Sequence, residues 1–272
     1  MKLEKKIQIN GITTSVCQRE GAGPAIICIH GNSLSQKIFD PLWGNTSLSR
    51  FPLVTFDFPG HGVSARPDQP EETYSMTGYA KFIELLLSEL GISEVVLLGF
   101  SLGGHIAIEA AGNNIGSIVK GIFMIGSPPL EHLEDFSEAF LPLPEGASLF
   151  VETITRRQVE IIAANISDNE EEYPVFAAAI ESSDPSTRKY LMQSIAAGGY
   201  HNEHEFLVKT KIPVMSVYGE NDRMVNIAYL KDSRLEKLLM GRKKIISDSA
   251  HLPDWNTALA PELLSFMETS IV

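Results

Sequence analysis

Gly99-Phe100-Ser101-Leu102-Gly103 sets a serine between two glycines where an apolar run gives way to small, helix-compatible residues. Glu94 to Leu98 reads as a buried strand and Leu102 to Ala111 as a helix, so Ser101 falls on the turn between them. Such a turn is sharp and strained, and a Cβ at Gly99 or Gly103 would collide with the neighbouring strand or helix. A serine opening a helix can also be a plain N-cap; the strand before it and the glycines around it favour a nucleophile. A serine hydroxyl is a weak nucleophile at neutral pH and needs a base, which in turn needs an orienting acid. His251 follows a strand ending near Ser247, and Gly219-Glu220-Asn221-Asp222 follows a strand ending at Tyr218. His251 is thus the expected base, and the rate should fall below the free imidazole pKa of about 6.5. For the acid, Glu220 and Asp248 compete with Asp222, which is preferred for its place three residues after the glycine that ends its strand.

Attack on an acyl carbon creates an oxyanion that needs two preorganised donors. The backbone N–H of Leu102, directly after the nucleophile, is one candidate. The N–H of Asn32 in His30-Gly31-Asn32-Ser33 is the other, with His30 as a structural hydrogen-bonding residue. Asp57 and His61 sit in a Pro- and Gly-rich turn, Pro59-Gly60-His61-Gly62, that reads as scaffold. His201 and His204 lack a third ligand, so a solvated face is expected there and no metal or other cofactor. His105 and His132 read as structural. Phe100, Phe136 and Phe140 are expected to line the substrate pocket, with other apolar residues of the same region beside them.

These residues all lie at the ends of apparent strands. Lys5–Ile9 and Thr13–Gln18 form an antiparallel pair around Asn10-Gly11. Largely apolar strands at 24–29, 53–56, 94–98, 117–125 and 212–218 and a further strand at 243–247 alternate with helices near 76–90, 102–111 and 227–239 and after Pro261. That pattern predicts an α/β fold with a mostly parallel eight-stranded sheet covered on both faces. The alternation stops after the sixth strand, where residues 128–209 hold several prolines, helical stretches at 150–164 and 187–197, and no strand. This insertion reads as a helical lid on a core made of residues 1–127 and 210–272.

The 272-residue chain carries a net charge of −12 and no basic run beyond Arg242-Lys243-Lys244, which argues against nucleic acid or an anionic membrane as partner. Neither a signal-peptide pattern nor an 18-residue apolar run occurs, so a cytoplasmic protein with no membrane span is expected. The expected partner is a small-molecule acyl ester, and a monomer or homodimer is expected. Cys17 and Cys28 stand in strand-like contexts and read as buried free thiols.

The Ser…Asp…His order and the elbow resemble the α/β-hydrolase superfamily along nearly the whole chain. Within it, the chain resembles the serine-dependent N-acyl-homoserine lactonases through His30-Gly31-Asn32-Ser33, Pro59-Gly60-His61-Gly62, Tyr74-Ser75-Met76, Gly103-Gly104-His105-Ile106 and Gly126-Ser127-Pro128-Pro129. The resemblance implies a metal-free enzyme whose small-molecule partner is a lactone, and which opens a homoserine lactone ring through an acyl-enzyme on Ser101. It departs from that family between about Leu130 and Phe206, where selectivity is decided. A general carboxylesterase or C–C bond hydrolase would use the same triad, and a non-hydrolytic receptor on this fold would leave it idle.

Overall fold

The computed structural model describes residues 2–271. Eight strands, β1 (Leu3–Ile9), β2 (Ile12–Arg19), β3 (Ala25–Ile29), β4 (Leu53–Phe56), β5 (Val95–Phe100), β6 (Val119–Ile125), β7 (Val214–Gly219) and β8 (Lys243–Ile246), form one sheet in the order β1-β2-β4-β3-β5-β6-β7-β8. β1 runs antiparallel to β2 and β2 antiparallel to β4, while every other pairing is parallel. The Asn10-Gly11 hairpin turn has positive φ at both residues, 48° and 80°, the conformation a tight two-residue hairpin requires.

The helices are α1 (Asp40–Gly44), α2 (Pro70–Thr73), α3 (Met76–Glu89), α4 (Leu102–Gly112), α5 (Asp135–Ala139), α6 (Arg156–Ile166), α7 (Tyr173–Ser182), α8 (Ser186–Ala196), α9 (Glu203–Lys209), α10 (Ser233–Leu238) and α11 (Ala260–Phe266). Strand alternation sorts the core into two halves. Ile27, Ile29, Val95 and Leu97 face α3 and α4, whereas Ile26, Cys28, Val96, Leu98 and Phe100 face the other way, toward Leu42 of α1 and Leu263 of α11. Both sides of the central strands are therefore buried, which is why β3 and β5 are apolar throughout. Cys17 and Cys28 are buried free thiols, and burial pushes both pKa values up.

The insertion between β6 and β7 carries α5 to α9. Its first long helix begins at Arg156 and not at Phe150, because Thr155 and Gln158 form a reciprocal capping box that fixes the start. The stretch expected as one helix over 227–239 is broken in two, since the Asp232 side chain caps a new start by accepting from the Arg234 N–H. Phe140 makes an isolated antiparallel bridge to Val225, so the insertion is tied to the loop after β7. No described helix is long and apolar enough to cross a membrane.

Candidate active site

Ser101 sits at φ 52°, ψ −120°, a conformation that L-residues avoid. The surroundings over-determine it. Its N–H donates to the Ile125 carbonyl at 2.7 Å, and its carbonyl accepts from Ser127 Oγ at 2.7 Å and from the Gly104 N–H at 2.9 Å. A Cβ at Gly99 would stand 2.3 Å from the Gly103 carbonyl oxygen, and one at Gly103 would stand 2.1 Å from that of Ile29. Strand and helix thus approach at a distance only glycine permits, and this contact forces the strained turn that leaves Ser101 partly exposed.

The acid and base come from the loops after β7 and β8. His251 Nδ1 lies 2.7 Å from Asp222 Oδ2, and both residues are buried. With its Nδ1–H donated to a carboxylate, the imidazole keeps Nε2 as the basic nitrogen. Asp222 is itself fixed, since Oδ1 accepts from the N–H groups of Met224 at 2.7 Å and Val225 at 2.8 Å. Glu220 and Asp248, the competing carboxylates, are exposed. Two glycines that sequence reasoning did not assign to this site make room for it. A Cβ at Gly126 would lie 2.6 Å from His251 Cε1, and one at Gly219 would lie 1.9 Å from the Ala250 carbonyl oxygen.

Ser101, His251 and Asn32 line one cavity of about 520 Å³ beneath the insertion. Among the described residues, no acceptor lies within hydrogen-bond range of the backbone N–H of Asn32 or Leu102. Both donors are free, and both residues line the same cavity. The Asn32 side chain is committed elsewhere: Nδ2 donates to the Leu149 carbonyl at 2.8 Å, and Oδ1 accepts from Ser33 Oγ at 3.0 Å. Phe136 and Phe140 line the cavity and pack on each other with ring centroids 4.7 Å apart. Phe100 does not line it. That ring is buried with Val96 and Leu98 in the core beneath the site, 5.0 Å from the His251 imidazole, where it braces the base.

The remaining histidines divide between scaffold and insertion. His30 donates from Nδ1 to the Gly31 carbonyl at 2.9 Å and accepts at Nε2 from the Phe58 N–H at 3.1 Å, which only the neutral ring can do. Burial lowers its pKa to about 4 and that of His61 to about 3. Asp57 accepts from the N–H of Val63 within the same turn and from that of Gln36 in the segment after β3, as a scaffold residue should. The expected solvated face is met only at His201, whose side chain is 40% exposed, whereas His204 is largely covered. His201 Nδ1 lies 2.9 Å from Glu109 of α4, and His204 Nδ1 lies 3.4 Å from Glu131. His105 pairs with Glu203 at 2.7 Å, and Glu203 also accepts from the Leu130 N–H. A buried His and Glu one turn apart on the otherwise apolar α4, His105 and Glu109, must find partners, and that is the available signal for Glu203 and His201. Among the described residues no cluster of three or more His, Cys, Asp or Glu side chains is arranged to hold a metal ion.

The buried neutral imidazoles make stability pH-dependent with a definite sign. The unfolded chain protonates His30 and His61 near 6.5, whereas the folded values are about 4 and about 3. Their contribution is complete above about pH 6.5 and is lost progressively as the pH falls toward the folded values. Urea unfolding between pH 7 and 4.5 should therefore show falling stability. Replacing His61 by Gln should make the slope shallower by close to one proton, and an unchanged slope would contradict the assignment.

A family model described as alpha/beta hydrolase fold matches residues 24–256. The chain is 26% identical over 244 residues to 2-(acetamidomethylene)succinate hydrolase of Mesorhizobium japonicum, covering 86% of this chain and 84% of that protein. Among solved structures, the N-acyl homoserine lactonase AidH, as a mutant complexed with N-hexanoyl homoserine, superposes with a TM-score of 0.89 at 26% identity, over 99% of this chain and 98% of that one. The complex of AidH with N-butanoyl homoserine gives a TM-score of 0.87 at 26% identity, over 98% and 95% of the two chains.

Proposed function

Because the chain belongs to the α/β-hydrolase family, we propose that it is a serine hydrolase that opens the lactone ring of N-acyl-homoserine lactones. The observation that carries this reading is the convergence of Ser101, the Asp222–His251 pair and two free backbone N–H groups on one largely apolar cavity. In the proposed sequence His251 Nε2 takes the Ser101 proton as Oγ bonds to the lactone carbonyl carbon. The Asn32 and Leu102 N–H groups hold the resulting oxyanion. Collapse breaks the ring C–O bond, and His251 returns the proton to the departing alkoxide. The acyl-enzyme keeps the freed hydroxyl tethered through the homoserine carbon chain. Water, deprotonated by His251, then attacks the ester carbon, releasing N-acylhomoserine and the free Ser101 hydroxyl. Residues 128–209 act as the lid, and Phe136, Phe140 and Phe150 pack around the acyl chain.

The cavity lining favours a neutral acyl substrate over a small dicarboxylate. Its charged lining residue is the Glu203 carboxylate, and among the described residues no Lys or Arg lines it to receive a second carboxylate. The likeness to the lactonase AidH over 99% of this chain supports the same reading. A general carboxylesterase would share the triad, so the test compares substrates. In a pH-stat, C4 to C10 N-acyl-homoserine lactones should release one acid per molecule with kcat/KM at least ~10-fold above p-nitrophenyl esters and 2-(acetamidomethylene)succinate, about 1.4 kcal/mol of transition-state preference. Brisk ester turnover without lactone opening would end the lactonase reading.

A further inference from the structure

Arg188 of α8 is 3% exposed, yet among the described residues no carboxylate lies within 4.0 Å of its guanidinium. A buried cation without an ion-pair partner is costly unless every N–H is used. Here the fork is spread over neutral acceptors on separate segments. Nε donates to the Val151 carbonyl at 3.0 Å and Nη2 to the Glu152 carbonyl at 2.8 Å, both in the insertion. Nη1 donates to Ser183 Oγ and to Ser33 Oγ, each at 3.2 Å.

Ser33 is the residue directly after the Asn32 amide. It is fully buried and held at φ 57°, in the left-handed region a serine disfavours. Because Arg188 can only donate, the Ser33 hydroxyl accepts from it and sends its own proton to Asn32 Oδ1 at 3.0 Å. Asn32 Nδ2 in turn donates to the carbonyl of Leu149, two residues before Val151, at 2.8 Å. The bonds form a closed circuit: Arg188 to Ser33, Ser33 to Asn32, Asn32 to Leu149, and back along the chain through Val151 and Glu152 to Arg188.

We propose that Arg188 is a positioning residue for the oxyanion hole: it clamps Ser33 in its strained conformation, so that seating the insertion also aims the Asn32 N–H. The inference rests on the assignment of that amide as an oxyanion donor. It adds that the hole is completed by the inserted segment and not by the core alone. A lysine cannot replace the fork, because a single ammonium cannot reach acceptors on three segments.

Ser33→Gly isolates the effect. Glycine adopts positive φ without strain, so the fold is kept while the relay hydroxyl is removed. On a p-nitrophenyl ester, Ser33→Gly and Arg188→Lys should each lower kcat by roughly 10- to 100-fold, in the range expected for a misaimed donor, with KM within about twofold. Affinity for an alkylboronic acid, which forms a tetrahedral adduct on the serine, should fall by a similar factor while affinity for the matching carboxylate product stays unchanged. The double variant should be no worse than the weaker single one, as for two links of one circuit. Wild-type kcat and boronate affinity in Ser33→Gly, or multiplicative losses in the double variant, would overturn the proposal. Since the ester assay does not depend on lactone opening, failure with lactones removes the substrate reading and leaves this comparison decisive.

Discussion

Alanine at position 101 should lower kcat for ester or lactone hydrolysis by at least about 10⁴-fold, leaving only the residual catalysis of binding and the oxyanion hole. The fold should persist, because the Ser101 side chain makes no hydrogen bond to the described residues and its backbone is held by the Ile125 carbonyl, the Ser127 hydroxyl and the Gly104 N–H. Alanine does not relieve the strain at φ 52°. Glycine does, so Ser101→Gly should be just as inactive yet more stable, by about 1–3 kcal/mol, the usual size of such backbone strain. Steady-state kinetics beside urea unfolding of the two variants separates chemistry from stability. Equal stability of the two, or residual activity near that of the native protein, would contradict the strained-nucleophile assignment.

Asp222→Asn should cost about 10⁴-fold in kcat with little change in fold. The Asn Oδ1 can still accept from the Met224 and Val225 N–H groups, so the loop keeps its anchor. What changes is the partner of His251 Nδ1, which now faces an amide N–H₂ that donates. The imidazole must then carry its proton on Nε2 and can no longer accept one from Ser101. Glu220→Gln and Asp248→Asn should leave kcat unchanged, since neither carboxylate faces the imidazole. A large loss in Glu220→Gln with a mild effect in Asp222→Asn would move the acid role to Glu220.

Much of this arrangement was legible because strained turns and buried strands restrict composition. Only glycine tolerates the contacts at 99 and 103, so the elbow was written in residue types. Asp222 and His251 are legible because each follows a strand in the alternating pattern, which fixes their end of the sheet. The errors arose where local pattern yields to tertiary contact. Phe100 is next to Ser101 in the chain, yet the period-two alternation through Val96 and Leu98 packs it into the core and not against the cavity. The start of α6 was set too early because the apolar residues before it pack as loop until the Thr155 cap. His204 reads as solvated, and Glu203 attracts no notice, because their partners, Glu131 and His105, lie on distant segments. Arg188 left no trace at all, since one arginine on an amphipathic helix is ordinarily solvated and its acceptors are backbone and hydroxyl oxygens from three other segments.

These assignments share one claim, that Ser101 is the atom through which acyl groups pass. Peptide mass spectrometry after reaction with a fluorophosphonate tests it directly. The expected result is a single adduct on the peptide containing Ser101, with hydrolytic activity falling in proportion to the labelled fraction and no labelling of Ser101→Ala. An adduct on a different residue, or undiminished turnover by protein fully labelled at Ser101, would contradict it.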